Sequence, residues 1–157
     1  MTSPDEKLET LGYPLDRVPT RGATYTPVVI DGTTAYVSGC VPFDGPGNLV
    51  SKGKVPSQVS LVDAQAAAAL CAANILRLVR NEVGSLGRIE RVLKLTGFVN
   101  SDPDFIEQHL VINGASQLLI DCLGESGWHA RSAVGMAQLP QGASVEVEAI
   151  LKLKAPQ

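Results

Sequence analysis

Few side chains in this sequence combine a reactive type with a usable setting. The two histidines, His109 and His129, lack the spacing of a metal-ligand pair. The three cysteines, Cys40, Cys71 and Cys122, are widely spaced and odd in number, which gives neither a disulfide framework nor a CxxC metal site. Cys71 and Cys122 fall on apolar helical stripes and read as core. Ser38 and Ser132 have no visible histidine–carboxylate partners, which weighs against a serine hydrolase. Charged strand residues remain. Arg131 opens one β-prone run, and Glu146 and Glu148 alternate outward along another. A guanidinium offers a carboxylate two parallel N–H bonds, fixing orientation as well as charge, and lysine would not serve equally. A carboxylate nearby can position or deprotonate water. Taken alone, each of these charges also reads as a solvated or paired surface residue.

The elements that must position them follow from periodicity. Residues 1–22 hold Pro4, Pro14 and Pro19 among many charges and read as an N-terminal arm, with a short helical turn near Asp5 to Leu11. Residues 23–157 read as a single domain. Val28 to Ile30 and Thr33 to Val37 flank Asp31-Gly32, a hairpin signal that predicts a type I′ turn centred on those two residues. Residues 40–56 carry several glycines and prolines and form a long loop, a length that often serves function. Ser60 and Asp63 start a helix like a capping box; its stripe is Ala64, Ala68, Cys71, Ile75 and Leu78, and Gly84 ends it. Val92 to Val99 reads as a strand. Asp102-Pro103 predicts the start of a second helix that runs to Leu123, with Gly124 stopping it and Gly114 a weak point within, costing roughly 1 kcal/mol against alanine. Trp128-His129 reads as interface packing or a cap at the helix exit. Two strands, 130–138 and 144–153, close the chain around Leu139-Pro140-Gln141-Gly142. The order is β-β-α-β-α-β-β, an α+β arrangement whose two helices can cover one face of a mixed sheet and no more. The other face would expose Phe98 and Ile150 and invites self-association.

At 157 residues, 45% hydrophobic and 18% charged, the chain can fill one core, and with 4% aromatics that core rests on aliphatic side chains. A net charge of -3 with scattered lysines and arginines gives no basic stripe, so nucleic-acid binding is not expected. The polar start has no apolar segment behind it, and the longest apolar run, Ala64 to Ala73, is too short for a bilayer, so no membrane association is expected. With unpaired thiols, a cytoplasmic location fits best.

The stretch His129-Ala130-Arg131-Ser132-Ala133-Val134, then Leu139-Pro140, then Val145-Glu146-Val147-Glu148-Ala149-Ile150, closely resembles the C-terminal signature of the RidA/YjgF family. Tyr36-Val37-Ser38-Gly39 looks like that family's strand-end Ser-Gly, Val92 to Val99 like its central strand, and Asp104-Phe105 like the start of its second helix. The resemblance covers roughly residues 23–153. The long arm, the 40–56 loop and Asn113-Gly114-Ala115-Ser116 look most like a divergent, longer branch. Ala133 stands where many members have cysteine, leaving only a backbone carbonyl.

The resemblance implies a chorismate-mutase-like fold and a homotrimer whose sheets form a central β-barrel, with clefts between subunits. It implies hydrolysis of reactive enamines and imines such as 2-aminoacrylate to 2-keto acids and ammonia, without metal or organic cofactor. By position, Arg131 is similar to the family's carboxylate-binding arginine and Glu146 to its water-associated glutamate. Tyr25 resembles its cleft tyrosine, Asn113 a polar cleft residue, and Ser38, Gly39 and Ala133 the backbone that lines the pocket. Two other functions stay open: a trimer that binds a small carboxylate without turnover, and the nucleolytic activity ascribed to some relatives under the name endoribonuclease L-PSP.

Overall fold

The structure, a computed structural model, describes residues 1–156. Its first element is a helix, α1 (Pro4–Thr10), where the sequence predicts only a turn. Ser3 and Glu6 form a full capping box, proline occupies the first turn, and Leu8 is fully buried. Asp5 fastens α1 to the body of the fold, accepting from Arg80 Nε at 2.6 Å, Ser85 Oγ at 2.9 Å and the Leu86 N–H at 3.0 Å.

Next comes the expected order: β1 (Val28–Asp31), β2 (Thr34–Cys40), α2 (Leu61–Val83), β3 (Ile89–Asn100), α3 (Gln108–Leu123), β4 (Ala130–Met136) and β5 (Val145–Leu153). The five strands form one mixed sheet in the order β1-β2-β5-β3-β4. Only the β3–β4 pair is parallel, its chain reversal being carried by α3. The β1–β2 turn sits one residue later than predicted. Asp31 pairs with Thr34, so the central residues are Gly32 and Thr33, and only Gly32 has positive φ, at 61°. That is the pattern of a II′ turn, which needs glycine at its first central position alone.

Two further expectations change. Helix α3 begins at Gln108 rather than beside Asp102-Pro103, because the Asp102 carboxylate accepts from the Ser57 N–H at 2.8 Å and its own N–H donates to Val55. The side chain that would cap the helix instead ties Ser57, the residue after the 40–56 loop, to the end of β3. Helix α2, at 23 residues, is long and apolar enough by length and composition to cross a membrane, unlike the short run read from sequence. It is a core helix nonetheless: its buried face packs on the sheet and on α3, and includes Asn74 and Arg77.

Helices α2 and α3 lie on one face of the sheet. Between them and the strands sits a core of aliphatic side chains, with Ile75, Leu76, Leu95, Ile112, Leu119, Val147 and Leu151 fully buried. Burial pushes the Cys40 thiol up to about 12 and Cys122 up to about 11, so both stay protonated and act as packing groups. The helix-free face leaves Val29 and Tyr36 about half exposed, at 52% and 48%, with Val134 at 42%. Phe98 and Ile150 are half-buried among them.

Gly114 is no weak point. A Cβ there would lie 2.0 Å from the Gln65 carbonyl oxygen of α2, a backbone atom that cannot swing aside, so its lack of side chain sets how closely α2 and α3 approach. Gly114→Ala should therefore destabilise the fold by about 1–3 kcal/mol, as overpacking does, despite alanine's better helix propensity. A thermal or urea melt of the variant checks this, and an unchanged or higher midpoint would remove Gly114 from the helix contact.

Candidate functional site

Strand register decides where Arg131 points. In the parallel β3–β4 pair Arg131 lies opposite Leu95, whose side chain is buried beneath the helices, so Arg131 leans to the same side and meets α3. Its Nη1 donates to Asn113 Oδ1 at 2.9 Å and Ser116 Oγ at 3.2 Å, and its Nη2 donates to the His109 carbonyl at 3.1 Å. Three of five donors are used, all on neutral acceptors. The Nε hydrogen and one Nη2 hydrogen remain, and among the described residues Arg131 has no carboxylate partner. Burial draws the guanidinium below its ordinary value, yet it stays charged. It faces a cleft of about 630 Å³ whose walls include Asn113, Ser116, Trp128 and His129.

His129 lines the same cleft. Its Nδ1 lies 2.6 Å from the Gly127 carbonyl oxygen, which can only accept, so Nδ1 carries the proton. Burial, together with the nearby Arg131 charge, holds the imidazole below its usual pKa. It is therefore neutral near pH 7, with a bare Nε2 that accepts from Ser116 Oγ at 2.9 Å. Sequence reasoning passed over Ser116. The signal was its position three residues after Asn113, which puts both on one helix face.

Glu146 lies in a different place. Along β5, Val145 and Val147 point into the core, which sends Glu146 to the opposite side of the sheet. Its cavity, about 220 Å³, is shared with Tyr25, Ser38, Gly39 and Phe43 and is closed by the arm at Pro19 to Ala23. A bulge between Val37 and Cys40 shapes the rim, and Ser38 Oγ is tied to the Thr26 carbonyl at 3.1 Å. At Gly39 a Cβ would come within 2.0 Å of Glu146 Oε1, so glycine there leaves room for the carboxylate. Burial, and then the charge of Glu148, raise the Glu146 pKa above its ordinary value.

The walls of this cavity hang on a buried polar pair in α2. Arg77, 1% exposed, donates through Nε to the Pro14 carbonyl at 2.8 Å and through Nη1 to Asn74 Oδ1 at 2.9 Å. Asn74 Nδ2 in turn donates to the Phe43 carbonyl at 2.9 Å and the Val41 carbonyl at 3.4 Å. One helical turn thus holds both the arm and the loop after β2. Neither residue stood out in the sequence, since nothing local marks a mid-helix arginine as buried.

The structure thus sorts the sequence-derived residues into two groups. Tyr25, Ser38, Gly39 and Glu146 share one cavity, and Asn113 and Arg131 share the other. Ala133, opposite Gly97 on β3, lines neither. No residue borders both.

Residues 5–149 match the family described as "YjgF/chorismate mutase-like, putative endoribonuclease". Protein TCP17 of Trypanosoma cruzi is 41% identical over 147 residues, 93% of this chain and 91% of its own length. The crystal structure of Atu1372 from Agrobacterium tumefaciens, a protein of unknown function, is 48% identical and superposes with a TM-score of 0.90 over 96% of this chain and 92% of that one. RidA from an Antarctic Psychrobacter is 27% identical, with a TM-score of 0.61 over 88% of this chain and 95% of that one.

The raised pKa of Glu146 has a consequence for stability. A carboxyl with a raised folded-state pKa favours folding fully below its unfolded pKa, near 4.3, and loses that contribution as pH rises through the folded value. Glu146→Gln should therefore melt at a higher temperature than the parent chain at pH 7. The two melting curves should converge near pH 4, and a gain of equal size at both values would contradict the assignment.

Proposed function

This chain belongs to the YjgF/chorismate mutase-like family, and on that premise we propose that it hydrolyses reactive enamine and imine intermediates of the 2-aminoacrylate type to 2-keto acids and ammonia. The observation that carries this reading is the unfilled side of Arg131, a charged fork opening on a cleft with no carboxylate of its own. Such a fork suits a small 2-imino acid, fixing its carboxylate and so the direction of its C=N carbon.

Water then adds to that carbon. The new C–O bond forms as the C=N π pair moves to nitrogen, a base taking one water proton and passing it to that nitrogen. The carbinolamine hydroxyl then gives its proton to the base as the carbonyl forms and the C–N bond breaks, and the amine leaves as ammonia with that proton. Glu146 suits this role. It is half-buried, and its raised pKa brings it nearer the operating pH, where base catalysis is most effective. The enamine form first becomes the imine by gaining a proton at its terminal carbon and losing one from nitrogen. No step requires a metal or organic cofactor. RNA cleavage is less well supported, because a chain of net charge -3 offers little of the phosphate attraction on which such binding rests.

In one chain Arg131 and Glu146 lie on opposite sides of the sheet in separate cavities. The reading therefore includes a homotrimer in which the Arg131 cleft of one protomer meets the Glu146 cavity of the next. The half-exposed Val29, Tyr36 and Val134 on the helix-free face provide apolar surface for such an assembly. The solution mass should be three times 16.5 kDa by light scattering.

With 2-aminoacrylate generated in situ by a serine dehydratase, the parent protein should speed keto-acid release. Arg131→Ala should lower kcat/KM by about 10- to 100-fold, the worth of charge-assisted hydrogen bonds, and Arg131→Lys should fall between the two. Glu146→Gln should lower kcat by about 100-fold or more. Trimers assembled from a mixture of Arg131→Ala and Glu146→Gln chains should regain part of the activity that neither variant has alone. Absence of any acceleration by the parent protein, with pyruvate still bound in calorimetry, would leave a carboxylate binder instead.

A further inference from the structure

In the Arg131 cleft, Ser116 and His129 are more than neighbours of the guanidinium. The hydrogen bonds run with one polarity from end to end. The Gly127 carbonyl accepts from His129 Nδ1, His129 Nε2 accepts from Ser116 Oγ, and Ser116 Oγ accepts from Arg131 Nη1. This arrangement has the three parts of an activated hydroxyl: a nucleophile in contact with a base, a group that fixes the base's tautomer, and a cation beside the oxygen that will carry charge. Both side chains are half-buried and both line the cleft, so a small molecule in it reaches Ser116 directly.

We propose that Ser116 and His129 form a nucleophile–base pair competent for acyl transfer from small esters that carry a carboxylate. The carboxylate takes the free Nε and Nη2 donors of Arg131. Ser116 touches a different side of the same guanidinium, through Nη1, so a short spacer must separate carboxylate and ester carbonyl, as in a succinate monoester. In the first step Ser116 Oγ forms a bond to the ester carbon and passes its proton to His129 Nε2. The C–O bond to the leaving alcohol then breaks, and His129 delivers that proton to the departing oxygen. In the second step water attacks the acyl-serine, His129 takes the water proton, and the Ser116 Oγ–acyl bond breaks as Oγ recovers a proton from His129. No oxidant or cofactor enters. The neutral state of His129, maintained by burial and the Arg131 charge, leaves Nε2 free to act as a base near pH 7.

Every part lies within one chain, so this site does not depend on the imine reading or on three subunits. It also differs from the serines weighed in the sequence, Ser38 and Ser132, which have no histidine beside them: Ser38 Oγ meets the Thr26 carbonyl and Ser132 Oγ meets Lys94 Nζ.

The test uses the full chain with 4-nitrophenyl hydrogen succinate as probe and 4-nitrophenyl acetate as its counterpart without a carboxylate. The expected result is release of nitrophenolate with an initial burst, faster with the succinate ester, and a succinyl group on the Ser116 peptide after acid quench and mass spectrometry. His129→Gln should slow release by about 10²- to 10⁴-fold. Ser116→Ala should bring it to the buffer rate. Because Ser116→Ala also frees one Arg131 donor, the covalent adduct is the deciding readout. Release that persists in Ser116→Ala, an adduct on another residue, turnover with no adduct, or no turnover by the parent protein would each overturn the proposal. Failure of this assay with 2-aminoacrylate hydrolysis intact would leave the proposed function standing, and the reverse result would leave only the serine site.

Discussion

A guanidinium held by an amide oxygen, a hydroxyl and a carbonyl, with no anion against it, has two of its five donors unspent. Arg131 is in that state, and much of the structure serves to keep it so. Desolvating a cation is costly unless hydrogen bonds replace the lost water. The three neutral acceptors on α3 offset part of that cost without neutralising the charge. They also fix the plane of the side chain, which a single surface contact would not. The geometry depends in turn on the height of α3 above the sheet, set by the Gly114 contact with α2 and by the absence of a side chain at Gly97, where a Cβ would run into Ile112.

The second group of residues is organised by a different kind of buried polar contact. Arg77 and Asn74 sit in the core side of α2 and spend their donors on the backbone carbonyls of Pro14, Val41 and Phe43. Two irregular segments are thereby tied to the helix, and they become walls of the Glu146 cavity. Burial pulls the Arg77 pKa down, and the Asp44 charge opposes part of that shift.

The sheet separates these two centres. A strand places alternate residues on opposite faces, and Arg131 and Glu146 fall on opposite sides of that alternation. A reaction that needs both must bring two copies together, whereas chemistry confined to Ser116, His129 and Arg131 is complete in one. The apolar residues left on the helix-free face mark where the chain has unsatisfied surface.

Periodicity in the sequence was enough for the element order, because helical and strand periods are local and the stripes of α2 and β5 are unbroken. The His129 to Ile150 signature was likewise legible, and with it the family. The turn at Gly32-Thr33, the start of α3 and the role of Gly114 were not, since each is decided by a partner distant in sequence: the strand register, the Ser57 N–H and the Gln65 carbonyl. The same holds for the site. Sequence could name Arg131 and Glu146 but not their separation, and it could list His129 and Ser116 without joining them. A side chain's chemistry is carried by its type, whereas its partners and direction are set by register and helix packing, and those exist only once the chain has folded.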